Sequence, residues 1–389
     1  MSSDIYFDNA ATTMVGERVA KRVYDVLLSS ATNPSSLHKL GRLAKEILED
    51  ARNKISAIIN CEPCELYFTS GATESNMIAL LGNLKPKLRS GKRVITTAVE
   101  HKSLLACCKK LENLGYEVVY LKPGKNGKIP VQELEQLVDE DTSLVSVMYV
   151  NNETGDIYDI KELAKAVKIK NPRTLFHCDA AQSFGKLTLN ARELNIDAMS
   201  FCGHKVGAPQ GVGFLFLKKG VKACLLEGGV QELGIRMGTE NLPGIAGFAE
   251  ACENLRSRQL AENFERMKSL KDFLISKLLE IDEIKINSAA NSSPYILNFS
   301  VLGIPAQVML NRLEKDGIFV GVGAACSKSK ESHVLKALGL GSEVINSAIR
   351  VSFWQENKMA EAERFVDVFS HAVCELRAND TRGNLEIGR

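Results

Sequence analysis

Apolar residues recur in two alternating rhythms over the first two-thirds of the chain. Across residues 42–59 the spacing is helical, with Leu43, Ile47, Ala51, Ile55 and Ile58 on one face. Short runs rich in β-branched and aromatic side chains follow at 66–68, 93–97, 117–121, 144–150, 175–178 and 198–201, and these predict strands. Helical spacing at 103–114, 160–168 and around 187–194 separates most of them. Alternation of this kind predicts an α/β fold on a mainly parallel sheet covered on both faces. A turn at Gly211 and Gly213 leads into one more strand, 213–217.

The rhythm changes after about Ala246. A long amphipathic helix is predicted over 246–279, then a smaller α+β unit with strands near 295–300, 318–321 and 349–353. The expected organisation is a large domain, 15–250, and a small one formed by 1–14 with 251–389. Residues 379–389 read as a frayed tail.

Composition narrows the function classes. Lys and Arg total 49 against 47 for Asp and Glu, a net charge of +2, so neither nucleic acid nor a membrane surface is expected as a partner. The first residues lack the basic and apolar regions of a secretory signal, and no apolar run approaches the roughly 18 residues of a membrane span. Ten cysteines in 389 residues are not a disulfide framework, which points to a cytoplasmic protein with reduced thiols. Cys61-Glu62-Pro63-Cys64 precedes a strand and has no second pair to complete a metal site, so it reads as a turn and no metal is expected. Cys107, Cys108, Cys224, Cys252 and Cys374 fall in apolar or helical stretches and are expected to pack.

Candidate chemistry gathers where predicted strands end. Ser70-Gly71-Ala72-Thr73-Glu74 leaves a strand, turns on a glycine and opens a helix, either as an ordinary capped start or as an anion site. Asp179 ends the strand before Ala180-Ala181-Gln182, as a structural cap or as partner of a protonated pyridine nitrogen. Lys205, in Cys202-Gly203-His204-Lys205, is either an exposed lysine or one whose burial frees its amine for a Schiff base. His101 starts a helix and can be a cap, a core residue or an acid–base group over a planar ring. Cys326 lies in Gly321-Val322-Gly323-Ala324-Ala325-Cys326-Ser327-Lys328-Ser329-Lys330, whose composition predicts a loop and whose lysines favour the thiolate.

These motifs, with Phe7-Asp8-Asn9-Ala10-Ala11-Thr12-Thr13, Asn33-Pro34-Ser35-Ser36-Leu37-His38, Asn151-Asn152-Glu153-Thr154-Gly155, Gln231-Glu232, Arg236-Met237-Gly238-Thr239-Glu240-Asn241 and Ile349-Arg350-Val351-Ser352, occur in order over nearly the whole chain. The series resembles the cysteine desulfurases of the class V aminotransferase group. The resemblance implies a fold-type I architecture with a seven-stranded sheet, pyridoxal 5′-phosphate as cofactor and L-cysteine as substrate. It implies that Lys205 bonds the cofactor, Asp179 pairs with the ring nitrogen, Gln182 meets the ring hydroxyl and His101 stacks on the ring as acid–base group. Ala72, Thr73, Cys202, Gly203 and His204 would hold the phosphate, joined by Thr239 from the second subunit of a homodimer. Asn33, Asn152 and Arg350 would orient the substrate, Asn152 also touching the cofactor. Cys326 would take the sulfur as a persulfide for a sulfur-acceptor protein in iron–sulfur assembly or in tRNA or cofactor thiolation.

Departures from the pattern are Cys202 in place of serine or alanine, Gln210 in place of lysine, Leu233, the Val322-Gly323-Ala324 lead and a shortened stretch to Ser332. A selenocysteine or cysteine sulfinate lyase is the nearest alternative, and a non-catalytic scaffold of the same fold the more distant one.

Overall fold

A computed structural model describes residues 4–387 except 31, 83–90, 125, 227, 254, 256 and 323–330. The chain begins with β1 (Ile5–Phe7), a strand too short to stand out in the sequence pattern. Seven strands form the central sheet: β2 (Leu66–Thr69), β3 (Arg93–Thr97), β4 (Glu117–Leu121), β5 (Thr142–Ser146), β6 (Leu175–Asp179), β7 (Ala198–Cys202) and β8 (Gly213–Leu217). Their order is β2-β8-β7-β6-β5-β3-β4, and only β8 runs against the rest. Every residue of β5, β6 and β7 is buried, as helices on both faces of a parallel sheet require. β6 carries two buried polar residues, Asp179 at its end and His177 in its middle. The ring nitrogens of His177 each meet a hydroxyl at 2.8 Å, Ser146 Oγ on β5 and Ser200 Oγ on β7. Burial pushes its pKa down to about 3, so a neutral imidazole ties three strands together.

A five-stranded sheet adds β9 (Ile284–Ile286), β10 (Ile296–Val301), β11 (Ile318–Val322) and β12 (Ala348–Ser352) in the order β1-β11-β12-β10-β9. β1 pairs parallel with β11, so the start of the chain is laid into its last third. The apolar interior divides accordingly. One cluster runs from Val26 to Leu260 and takes in Val334 and Trp354; another joins Ile5, Phe7 and Ala10 to side chains between Met267 and Val373.

Four expectations need correction. The helix expected at 42–59 spans Lys39–Ile58 and buries Ala44, Leu48, Ala51 and Ile55, while Leu43 is 39% exposed beside Leu37 and Leu40. Ile47 and Ile58 pack partly buried against the same cluster as Ala51 and Ile55, so of the five positions expected on the inner face only Leu43 turns outward. Residues 187–194 form turns rather than a helix: Asn190 Oδ1 accepts from Arg192 and Glu193 N–H, but Asn195, at φ 53°, stops the turn at once. The long helix of 246–279 is two, Leu242–Cys252 and Ser257–Leu278. The first is buried almost all round in the large cluster, whereas Met267, Leu270, Leu274 and Leu278 belong to the second. A stripe that changes partners cannot run on one straight axis. Cys374, expected to pack, is exposed. Among the described residues no helix is long and apolar enough to cross a membrane.

Candidate active site

Parallel order places the carboxyl ends of β3, β5, β6 and β7 on one side of the sheet, where open α/β sheets hold ligands. A cavity of about 620 Å³ opens there. Its walls include Ala72, Thr73, His101, Asn152, Asp179, Gln182, Cys202, His204, Lys205 and Arg350, ten of the residues singled out in the sequence. Gly203 is buried behind the wall, facing Ala208 and Val212. Asn33 and Thr239 are exposed and line none of it, and Cys326 lies outside the described residues. The sequence reading assigned no role to Ala10, Ala11, Thr12, Glu153 or His333, which also line the cavity. The first four stand in motifs it quoted; His333 gave no signal.

Each functional side chain is held by its own element. Asp179 ends β6, with Oδ2 accepting from Asn76 Nδ2 at 2.8 Å and Oδ1 from Ala181 N at 3.0 Å. His101 caps the helix Lys102–Asn113, its Nδ1 accepting from Ser103 N at 3.2 Å. A ring nitrogen that accepts from an N–H carries no proton, so in neutral His101 the proton resides on Nε2. Enclosure by the cavity walls lowers the pKa of His101; Asp179 opposes this, while Lys205 and His333 add to it. Cys202 is a neutral thiol, pushed up to about 11 by burial.

Lys205 stands on the turn after β7. Thr13 N donates to His204 O at 2.8 Å and Thr13 Oγ1 to Lys205 O at 3.1 Å, so the N-terminal segment pins this turn. The Lys205 amine donates to the carbonyl oxygens of Ala10 and Ala11. Burial first, then Lys205 and Lys186, brings His204 down to about 4, which leaves it neutral.

The loop before Ala72 rests directly on β8. A Cβ at Gly213 would lie 2.6 Å from Gly71 Cα and 2.4 Å from Phe201 O, so only glycine permits the approach. Gly71 itself has φ 151°, closed to most side chains. The N–H groups of the first helical turn that follows have no intrahelical acceptor and open on the cavity.

Arg350 reaches in from β12. Its Nη2 donates to Asp8 Oδ1 at 2.7 Å and its Nη1 to Asn152 O at 2.9 Å. Its Nε is buried with no acceptor among the described residues. An unpaired buried guanidinium donor costs free energy until an anion arrives.

Glu153 is buried, and its Oε2 accepts from Ser332 Oγ at 2.5 Å. Burial raises its pKa to about 7, against the lowering effects of Ser332, Arg350 and Lys102. A carboxyl whose folded pKa exceeds its unfolded one binds the proton more tightly when folded. Stability then falls as pH rises from about 4.5 to about 7, and the loss is complete above that window. Glu153→Gln should therefore melt higher than the native chain at pH 8, by an amount worth at most about 3 kcal/mol, and the gain should vanish near pH 4.5. Thermal melts of both proteins across this range check it; an equal difference at both ends would contradict the assignment.

The donor set suits pyridoxal 5′-phosphate. A fixed carboxylate at Asp179 matches a protonated ring nitrogen, the open first turn at Ala72 and Thr73 matches a phosphate, and the Lys205 amine matches an aldehyde. The orphaned Arg350 Nε matches an amino-acid carboxylate.

Comparison with known proteins gives the same picture. The family model for aminotransferase class-V matches residues 5–365. A cysteine desulfurase IscS of Methanosarcina thermophila is 36% identical over 381 residues, 96% of this chain and 93% of that protein. A cysteine desulfurase IscS of Serratia proteamaculans is 36% identical over 386 residues, 97% and 94% of the two chains. Among solved structures, a NifS-like protein superposes with TM-score 0.90 at 36% identity, covering 95% of this chain and 99% of its own. SspA in complex with cysteine superposes with TM-score 0.79 at 31% identity, covering 90% and 98%.

Proposed function

This chain belongs to the aminotransferase class-V family, and we propose that its cavity removes the sulfur of L-cysteine with Lys205, His101 and Cys326 as the working residues. The chain is a pyridoxal 5′-phosphate-dependent cysteine desulfurase. The observation that carries the residue assignment is the convergence of Asp179, His101, Lys205 and Arg350 on one cavity from four separate elements.

When bound, the cofactor withdraws electrons from the substrate's α and β carbons. Asp179, held by Asn76 and by the Ala181 N–H, keeps its carboxylate where a protonated ring nitrogen is stabilised. Ala72, Thr73, Cys202, Gly203 and His204 would hold the phosphate of the bound cofactor. Arg350, already oriented by Asp8 and Asn152, takes the substrate carboxylate, Nε being the donor left open. Lys205 holds the cofactor through its amine and, once released from it, moves the substrate's α proton. His101 exchanges its proton at Nε2. The Cys326 thiolate attacks the substrate sulfur; an S–S bond forms, the Cβ–S bond breaks, and the electron pair left on Cβ takes up a proton to give alanine.

Further parts of the reading are a homodimer, a cytoplasmic location and a sulfur-acceptor protein of iron–sulfur assembly or thiolation. Leu226, Val230, Leu233 and Met237, all exposed, precede Thr239 on one segment, and Tyr24, Leu28 and Leu37 are exposed too. So much exposed apolar surface supports a second copy as its cover, with Thr239 reaching the partner's phosphate.

Alanine and sulfide should appear in equal amounts from L-cysteine and a reductant. Arg350→Gln should raise KM roughly tenfold to a hundredfold with a smaller loss in kcat, since it removes a charge-assisted carboxylate contact. Steady-state kinetics check both points; an Arg350→Gln protein with native KM would remove Arg350 from the substrate site.

A further inference from the structure

A buried lysine with no part in the steps above stands one helical turn's distance beyond Gln182. Lys186 is 1% exposed. Its Nζ donates to Gln182 Oε1 at 3.0 Å and lies 6.0 Å from the centroid of the Tyr295 ring. Gln182 Nε2 in turn donates to Ala10 O at 2.9 Å, the same oxygen that accepts from the Lys205 amine. Two lysine amines are thus joined through one side-chain amide and one backbone carbonyl. The Ala10 peptide is fixed from its other side, its N–H donating to Ser352 Oγ at 2.8 Å.

An amide side chain can present either an acceptor or a donor, because a flip exchanges its oxygen for its NH2 group. The Lys186 amine donates to Gln182 Oε1, and this contact holds the amide oxygen toward Nζ. The NH2 group must then face Ala10 and the cavity that Gln182 lines, with one N–H engaged by Ala10 O and the second left for a ligand. Burying the amine is costly: desolvation, then the charges of Lys205 and Arg350, brings Lys186 down to about 7 against the opposing effect of Cys202. A methionine would occupy the same space without that cost, so the amine is explained by what it does to its neighbour.

We propose that Lys186 is a positioning residue that locks Gln182 with its NH2 group toward the cavity, as donor to the anionic ring oxygen of the cofactor. The inference rests on the cavity being the pyridoxal phosphate site. Without Lys186, Gln182 can turn its oxygen inward, where it faces an oxyanion with the wrong polarity.

The test uses cofactor-free native protein, Lys186→Met, Lys186→Gln, Gln182→Leu and the Lys186→Met/Gln182→Leu double variant. Each is titrated with pyridoxal phosphate by calorimetry, and the absorbance of the bound cofactor is followed against pH. Lys186→Met should weaken binding roughly tenfold and shift the absorbance titration in the same direction as Gln182→Leu. Lys186→Gln, which can still donate to Gln182 Oε1, should recover most of both effects. The double variant should be no worse than Gln182→Leu alone, because one residue acts through the other. The inference is overturned if Lys186→Met lowers the melting temperature but leaves affinity and titration native, or if its effect adds in full to that of Gln182→Leu. Native protein that binds no pyridoxal phosphate would instead overturn the cofactor reading, and this inference with it.

Discussion

Replacing Lys205 with alanine should lower alanine formation from L-cysteine by roughly three orders of magnitude or more and leave the fold in place. The first half follows because, among the described residues, no other lysine stands on the turn after β7. Lys186 is buried beyond Gln182, but its Nζ is turned to Gln182 Oε1 and the Tyr295 ring. Lys102 also lines the cavity, yet it leaves from the His101 helix rather than from the turn after β7. The second half follows from what the Lys205 side chain touches. Its amine donates to the carbonyls of Ala10 and Ala11, and Ala10 O keeps Gln182 Nε2 as partner when the amine is gone. Losing such contacts at an open cavity wall costs on the order of 1 kcal/mol, too little to unfold a chain with two large apolar clusters. Coupled alanine and sulfide assays, with circular dichroism melts of both proteins, separate the two halves. Residual turnover within tenfold of native would remove Lys205 from the centre of the account.

Cys326→Ala should cost at least roughly a hundredfold in sulfide release while the bound cofactor keeps its native absorbance. The separation is the point. The described groups assigned to the cofactor within one chain come from β6, β7 and the segments that follow β2, β3, β5, β6 and β7. Cys326 follows β11 in sequence, and the proposed role for it is that of sulfur acceptor alone. Lys328 and Lys330 follow it in sequence, and positive charge near a thiol favours the thiolate form that attacks sulfur. Full activity of Cys326→Ala on L-cysteine would favour a lyase that eliminates directly, on a selenium or sulfinate substrate.

What the sequence made legible were the features that local chemistry fixes. The strands β3, β4 and β8 were bounded to the residue, because each is a short run rich in β-branched or aromatic residues that begins at a charged residue or a glycine. Most of the ten site residues could be read because they stand at or just after a strand end or at a helix start, where side chains face a crevice, whereas Arg350 sits in the middle of β12. Pieces that depend on tertiary contact were not legible. β1 has three residues and acquires its role only by pairing with β11, more than three hundred positions later. Lys186 reads as an ordinary surface lysine until the fold closes over it. The break before Ser257 depends on two separate cores competing for one stripe. Asp8 was quoted within a motif, but its grip on Arg350 joins the first strand to the last and has no local trace.

The most direct test of the central claim is the mass of the Cys326-bearing peptide after cofactor-loaded protein meets L-cysteine without reductant. The account predicts one added sulfur on Cys326 in the native protein, formed together with alanine, and none in Lys205→Ala. Alanine formed with Cys326 unmodified, or the added sulfur found on another cysteine, would contradict it.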